Sequence, residues 1–237
     1  MNCKMNCKIC DGMDTTWFTP EVRKCSKCSS LYRIHLIDYN KEYIEKNYWF
    51  DISKSEWEWV PIEQENQANF IKRDLIQKPG SLLVEFGCAN GYIAQYLAQY
   101  QDRIIIQEIV DIMVKEVRDN LKISFILGTF EDSVKMLKSN SVTNVVMNNV
   151  IEHINDIQNT FTECKRIIEP KGRFIIITDD GDNPFGCTFA MLGHPEHCFC
   201  ITKAGIMSLC AQYGFSIIKF WRMTDYLSYI VLEKNAT

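Results

Sequence analysis

From residue 81 onward the chain alternates short apolar runs with amphipathic stretches. Apolar runs at 82–86, 103–107, 123–127, 142–147 and 174–178 have the length of buried strands. Between them, Ile93, Tyr96, Leu97 and Tyr100 fall at i, i+3, i+4 and i+7, and 111–120 and 156–168 read as further helices, the second stopped by Pro170-Lys171-Gly172. Residues 179–201 read as a loop, 202–213 as a helix, and 215–221 and 226–232 as two terminal strands. This alternation predicts an α/β fold: a Rossmann-like, seven-stranded, mostly parallel sheet with helices on both faces. Upstream, Pro61 opens a helical stretch carrying Ile62, Phe70, Ile71, Leu75 and Ile76, which ends at Pro79-Gly80. Residues 37–60 hold Tyr39, Tyr43, Tyr48, Trp49, Phe50, Trp57 and Trp59, rings that either pack an N-terminal module onto the core or form a lid over a ligand. The expected organisation is a module at 1–36, a connecting segment at 37–79 and a core at 80–237.

The composition is ordinary apart from cysteine. The chain has 237 residues, a net charge of −4 and no apolar stretch long enough for a membrane span or the core of a signal peptide. The charge argues against a general affinity for nucleic acid, although residues 1–35 carry a small basic excess. Cysteine, however, occurs 11 times, and five of these lie within the first 28 residues. Cys7/Cys10 and Cys25/Cys28 are two CxxC pairs, the spacing of a zinc ribbon, in which four thiolates close a tetrahedral site and leave no open position. The metal would supply folding energy to a segment too short for its own core. Cys3, Cys7 and Cys10 also form C-x₃-C-x₂-C, the spacing of a radical-type iron–sulfur motif, which would leave the second pair without a role; a redox dithiol is a third reading. Cys88, Cys164 and Cys210 read as small packing residues. The odd count and the paired spacing fit a reducing, cytoplasmic setting better than a disulfide framework.

The first core strand runs into Glu85-Phe86-Gly87-Cys88-Ala89-Asn90-Gly91-Tyr92, a glycine-bearing turn at the carboxyl end of a strand, where open α/β sheets bind ligands. Glu108 lies 21 residues beyond Gly87, at the next strand end, where a carboxylate can hold ribose hydroxyls. The spacing departs from GxGxxG. Glu85 beside the turn would repel a pyrophosphate but suits an ammonium or sulfonium, which favours S-adenosylmethionine over a dinucleotide.

LLVEFGCANGY at 82–92 resembles the first motif of class I S-adenosylmethionine-dependent methyltransferases. QEIVDIMVKEVR resembles their second, LGTFED the third, SVTNVVMNNVIEHI the fourth-strand motif, IIEPKGRFIII the turn before the fifth strand, and HPEHCFCITKAGIMSLCAQYGF the late loop and helix. The resemblance covers about 80–237. It implies that Glu85, Gly87, Cys88, Ala89, Asn90, Gly91 and Tyr92 surround the methionine part of the cofactor, that Glu108 and Ile109 meet the ribose, and that Met113, Thr129, Phe130 and Glu131 flank the adenine, with Asn148 and Asn149 at the fourth strand end. Ala89 stands where many members have glycine, Thr143 where they have aspartate, and Thr129 where they have an acidic adenine ligand. Similar proteins with a CxxC…CxxC ribbon imply a small-molecule acceptor, a hydroxyl of a sugar or other metabolite. An RNA- or protein-directed enzyme that docks through the ribbon, or a non-catalytic binding module, is the alternative. Among four histidines, His197 and His153 are the candidate general bases, His194 lies beside them in sequence, and His35 belongs to the ribbon. The polar loop 179–201 reads as substrate-facing, with a second metal site as its rival. The oligomeric state is left open.

Overall fold

A computed structural model describes residues 6–13, 15–37, 40–47, 60–110 and 122–236. The expected helix at 111–120, Met113, Cys3 and most of the aromatic run at 37–60 lie outside them. The core is a seven-stranded sheet formed by β4 (Leu82–Phe86), β5 (Arg103–Glu108), β6 (Ile123–Leu127), β7 (Val142–Asn148), β8 (Ile168–Asp179), β10 (Phe215–Arg222) and β11 (Leu227–Lys234), in spatial order β10-β11-β8-β7-β4-β5-β6. Strands β4 to β8 are parallel, and β11 runs antiparallel to both of its neighbours. The order reverses at β4, which pairs with both β5 and β7. Every residue of β4 is buried, as expected of a central parallel strand covered on both faces.

Helix α2 (Val60–Asp74) and α3 (Tyr92–Leu97) pack on one face of the sheet; α5 (Ile157–Ile167) and α7 (Lys203–Tyr213) pack on the other. In α5, Ile157, Phe161, Cys164 and Ile167 form the buried stripe, and Asp156 caps the helix by accepting from Asn159 N at 2.9 Å. Thr202 caps α7 in the same way, and Gly214 (φ 75°) ends it. One sequence expectation needs correction here. Pro170-Lys171-Gly172 does not separate α5 from its strand: β8 begins at Ile168, and these residues form a bulge. Val142 pairs with Ile168, whereas Asn144 already pairs with Arg173.

The N-terminal cysteines lie in a second, four-stranded sheet, β1 (Thr15–Trp17), β2 (Val22–Cys25), β3 (Leu31–Arg33) and β9 (Phe199–Cys200), in that order. The first three strands are the folded-back segment that the two CxxC pairs predict. The fourth belongs to the stretch expected as a loop, pairing Leu31 with Cys200 and Tyr32 with Phe199. That stretch also contains α6 (Pro184–Gly193), whose Cys187 and Met191 pack with Val22, Leu31 and Cys200. Residues 179–201 are therefore a structured arm clamped to the cysteine-bearing sheet, and this is the second correction.

The clamp leaves no slack at Gly181. A Cβ there would stand 2.3 Å from the Ile201 carbonyl carbon and 2.5 Å from Thr202 N, both backbone atoms that cannot swing aside. Gly181→Ala is expected to cost about 2 kcal/mol or more by urea unfolding, as overpacking does. A loss below about 0.5 kcal/mol would show that the arm yields easily.

Candidate functional site

The four cysteines meet at the base of the small sheet. Cys7 Sγ lies 3.8 Å from Cys28 Sγ and Cys10 Sγ lies 3.5 Å from Cys25 Sγ, with all four sulfurs within 4.8 Å of one another. A tetrahedral ion with metal–sulfur bonds of about 2.3 Å needs sulfur–sulfur edges of roughly 3.8 Å. Both turns are built alike: Ile9 N donates to Cys7 Sγ and Cys28 N to Cys25 Sγ, while Asp11 (φ 56°) and Ser29 (φ 59°) close the two loops in the left-handed region. All four side chains are buried. Without a cation the sulfurs compete for protons. The Cys28 sulfur and burial push Cys7 up, burial pushes Cys10 to about 11, and the Cys7 thiol holds Cys28 below the ordinary value. A divalent metal removes that competition, so the donor set fits one.

A cavity of ≈ 630 Å³ opens at the carboxyl ends of β4, β5 and β7. Its floor is the turn after β4, where Gly87 (φ 65°), Ala89 (φ 48°) and Gly91 (φ 76°) are all left-handed. At Gly87 a Cβ would stand 2.3 Å from Val150 Cγ2, so only glycine fits between the turn and the β7 end. Glu108, at the end of β5, holds the turn from the side, accepting from Ala89 N at 2.9 Å and from Ile109 N at 2.7 Å. A carboxylate offers about four acceptor positions, which leaves two for ribose hydroxyls. Gln107 joins the turn to the β6 end, accepting from Gly87 N at 3.1 Å and donating to the Gly128 carbonyl at 2.5 Å. Glu85 Oε2 and Asn148 Oδ1 are buried without a hydrogen-bond partner among the described residues, and both residues line the cavity. Burial, with Glu108 adding repulsion, raises Glu85 to about 8. Burial raises Glu108 too, although its backbone donors pull the other way. Two buried carboxyl groups, Glu85 and Glu108, in a cavity with no Lys or Arg in its described lining fit a ligand that brings its own positive charge.

Another part of the lining is imidazole. His153, in the turn after β7, lines the cavity. His197, in the arm between α6 and β9, packs edge-on against it at 4.6 Å, and His194 stacks on His197 at 4.7 Å. Asp179, the last residue of β8, pairs with His197 Nδ1 at 2.8 Å. Glu152 is buried and accepts from Thr178 Oγ1 at 2.9 Å, and Glu196 lies 3.3 Å from His194 Nδ1. Burial opposes charge on His197, but Asp179, Glu152 and Glu196 outweigh it and raise this imidazole above its ordinary value. His153 is pushed down to about 3, first by burial and then by the neighbouring imidazoles of His197 and His194. Burial and Asp179 raise Glu152 to about 7. Ligand atoms of Glu152, His153 and His197 come within 4.8 Å of one another, so the rival metal reading of the arm falls on this same wall.

Of the residues singled out in the sequence, Glu85, Gly87, Cys88, Ala89, Glu108, Ile109, Thr129, Phe130, Glu131, Asn148, Asn149 and His153 line the cavity. Asn90, Gly91 and Tyr92 shape the turn without lining it: Asn90 Oδ1 accepts from Tyr92 N at 3.1 Å. Thr129 spends its hydroxyl on capping α4 (Phe130–Ser133). His197 stands one ring behind the wall. The sequence reading missed Asn40 and Ile44 around α1 (Lys41–Asn47), and Glu63, Gln64 and Gln67 on α2, which close the cavity from above. Gln67 is tied in by Asn148 Nδ2 at 2.8 Å. Their signal was a polar face at i, i+1 and i+4, indistinguishable in sequence from a solvated one.

Residues 84–176 match the family model described as a methyltransferase domain. No curated protein matches the chain in sequence. Solved structures share the fold. A type 11 methyltransferase from Sulfolobus solfataricus is 23% identical, with a TM-score of 0.54 over 74% of this chain and 93% of that one. An S-adenosylmethionine-dependent methyltransferase from Mesorhizobium loti is 12% identical, with a TM-score of 0.60 over 72% and 100%. A geranyl diphosphate C-methyltransferase from Streptomyces coelicolor, solved with Mg²⁺, geranyl diphosphate and S-adenosylhomocysteine, is 13% identical, with a TM-score of 0.59 over 77% and 84%.

Ala89 carries a side chain at φ 48°, where a Cβ is strained. Ala89→Gly should therefore stabilise the protein by about 0.5–1 kcal/mol, read as a rise in unfolding midpoint, since relief of strain exceeds the added chain entropy. A fall in midpoint would contradict the strained turn.

Proposed function

We propose that this chain, which carries a methyltransferase domain over residues 84–176, moves a methyl group from S-adenosylmethionine to a hydroxyl of a small molecule, a sugar or comparable metabolite. The observation that carries this reading is the cavity itself: an unpartnered Glu85 carboxylate beside the glycine turn on one side and His153 on the other. Glu85 would hold the methionine ammonium, the two remaining acceptor positions of Glu108 the ribose, and Phe130 and Glu131 the adenine. When bound, S-adenosylmethionine supplies an electrophilic methyl on a cationic sulfur.

The chain's own task is alignment, exclusion of water and removal of one proton. Described lining residues outside the cofactor floor include the carboxamides Asn40, Gln64, Gln67, Asn149 and Asn155 and no Lys or Arg. Such a wall can exchange hydrogen bonds with several hydroxyls, and it lacks the cations that a phosphate or diphosphate acceptor needs. His153 accepts the hydrogen bond of the reacting hydroxyl. Its imidazole is held neutral while His197 carries charge. Once His197 loses its proton, its repulsion of charge on His153 is relieved, and His153 takes the hydroxyl proton as the methyl group is transferred. The activity should accordingly rise with pH along a limb centred above 6.5, the ordinary histidine value. The four cysteines hold a structural zinc ion that fixes the small sheet. The paired CxxC spacing is in keeping with a cytoplasmic setting.

Two measurements bear on this assignment. Glu85 holds its proton to about pH 8 in the folded, ligand-free protein, against 4.5 when exposed. Its contribution to stability is therefore present below pH 4.5 and is lost as pH rises towards 8. A bound ammonium ionises it. Calorimetry of S-adenosylhomocysteine binding at pH 7, in buffers of different ionisation enthalpy, should report release of roughly one proton, absent in Glu85→Gln; binding without proton release would place the ammonium elsewhere. Metal analysis should find one zinc per chain, lost on Cys25→Ser, and an iron–sulfur absorption band would overturn the zinc assignment.

A further inference from the structure

The small sheet and the histidine wall are joined by more than strand pairing. Arg33, at the end of β3, is buried. Its backbone N donates to the Cys198 carbonyl at 2.9 Å. Its guanidinium reaches two further carbonyls of the same arm, His197 through Nε at 3.3 Å and Met191 through Nη2 at 2.5 Å, while Nη1 pairs with Glu21 at 2.9 Å. One side chain thus grips both the end of α6 and the residue that pairs with Asp179. On the far side of His197, Cys198 N donates to the Glu152 carbonyl at 2.6 Å, which ties the arm to the turn carrying His153. The cysteine site closes the circuit: the Thr202 hydroxyl donates to the Cys28 carbonyl, and Ser30 Oγ receives Thr202 N at 3.1 Å. A chain of hydrogen bonds therefore runs from a sulfur-bearing turn to β9 and on to the backbone that carries both imidazoles.

We infer that the cysteine module is part of the active-site wall and that Arg33 is its positioning residue, setting His197 against Asp179 and His153. This rests on the reading of the imidazoles given above. The guanidinium suits the task because its planar fork can serve two carbonyls and a carboxylate at once, and it keeps its charge when buried. A lysine in its place could hold only part of that set. Arg33 touches neither the cavity nor the ring atoms, so its influence passes through the His197 backbone. The groups facing the His197 ring are Asp179, Glu152, Glu196, His153 and His194, and a small displacement of the backbone changes the first contact most, because it is the shortest.

The chain has only four histidines, so protein labelled with ¹³C at histidine Cε1 gives four resonances, assignable by replacing each histidine in turn. Arg33→Met and Arg33→Lys holoproteins are compared with the unmodified protein for zinc content, S-adenosylhomocysteine affinity and histidine titration. With Arg33→Met, zinc content and affinity should stay within about twofold, while the His197 midpoint drops by roughly half a pH unit as its carboxylate contact loosens; the His153 signal should move with it. Arg33→Lys should fall between the two proteins. Should Arg33→Met fail to fold, Arg33→Lys alone decides the matter. Unmoved His197 and His153 signals in the folded variants overturn the inference. So does loss of S-adenosylhomocysteine binding in both variants, which would give Arg33 a role in the whole fold. Failure of the unmodified protein to bind would strike the reading of the cavity instead.

Discussion

Acidic groups held out of water recur at three places among the described residues and give each its chemistry. Burying a carboxylate or thiolate alone costs more than a folded domain can spare, so each group must share protons, pair with imidazole or receive a cation from outside. At the ends of β4 and β5, Glu85 and Glu108 face a cavity whose described lining holds no lysine or arginine. In the small sheet, four sulfurs lie closer together than four thiolates would without a cation between them. Behind the cavity, Glu152 and Asp179 are balanced by His197. The three solutions differ: a cationic ligand, a divalent metal and a protonated imidazole. Elsewhere the chain uses ordinary pairing, as where Arg222 meets Asp180 and Lys219 meets Asp74.

The fold brings these places together through connections that are long in sequence. The glycine turn and Glu108 come from adjacent parallel strands at the point where the strand order reverses, so their meeting follows from the topology. The histidine wall does not. It depends on an arm that leaves β8, forms α6, contributes one strand to the cysteine sheet and returns as α7. The cysteine module and the methyl-transfer core therefore share a sheet, and the boundary near residue 36 is a boundary in sequence more than in packing.

Much of the core could be read from the sequence because its physics is local. The fully buried run 82–86, the stripe Ile157, Phe161, Cys164 and Ile167 and the caps at Asp156 and Thr202 declare themselves through period and chemistry. The glycine turn was legible because left-handed backbone selects glycine, although Ala89 shows that the rule can be strained. Helix α6 was not legible: PFGCTFAMLG is apolar on all sides, with Phe185 and Phe189 exposed and Cys187 and Met191 buried, so it has no polar face to mark its period. Strand β9 is two residues long and exists only because β3 lies beside it. Glu63, Gln64 and Gln67 were hidden for the opposite reason, since a polar helix face looks the same whether it meets solvent or roofs a cavity. His197 could be named from the sequence, but its distance from the cavity and its pairing with Asp179 are tertiary facts.

On the proposed function, the cavity above Gly87 binds S-adenosylmethionine through the carboxylates of Glu85 and Glu108. Equilibrium dialysis of the purified, metal-loaded protein with radiolabelled S-adenosylmethionine tests it most directly. One saturable site per chain is expected, emptied by S-adenosylhomocysteine, untouched by excess NAD or ATP, and strongly weakened when Glu108 is replaced by alanine. No saturable binding, or displacement by NAD, would contradict it.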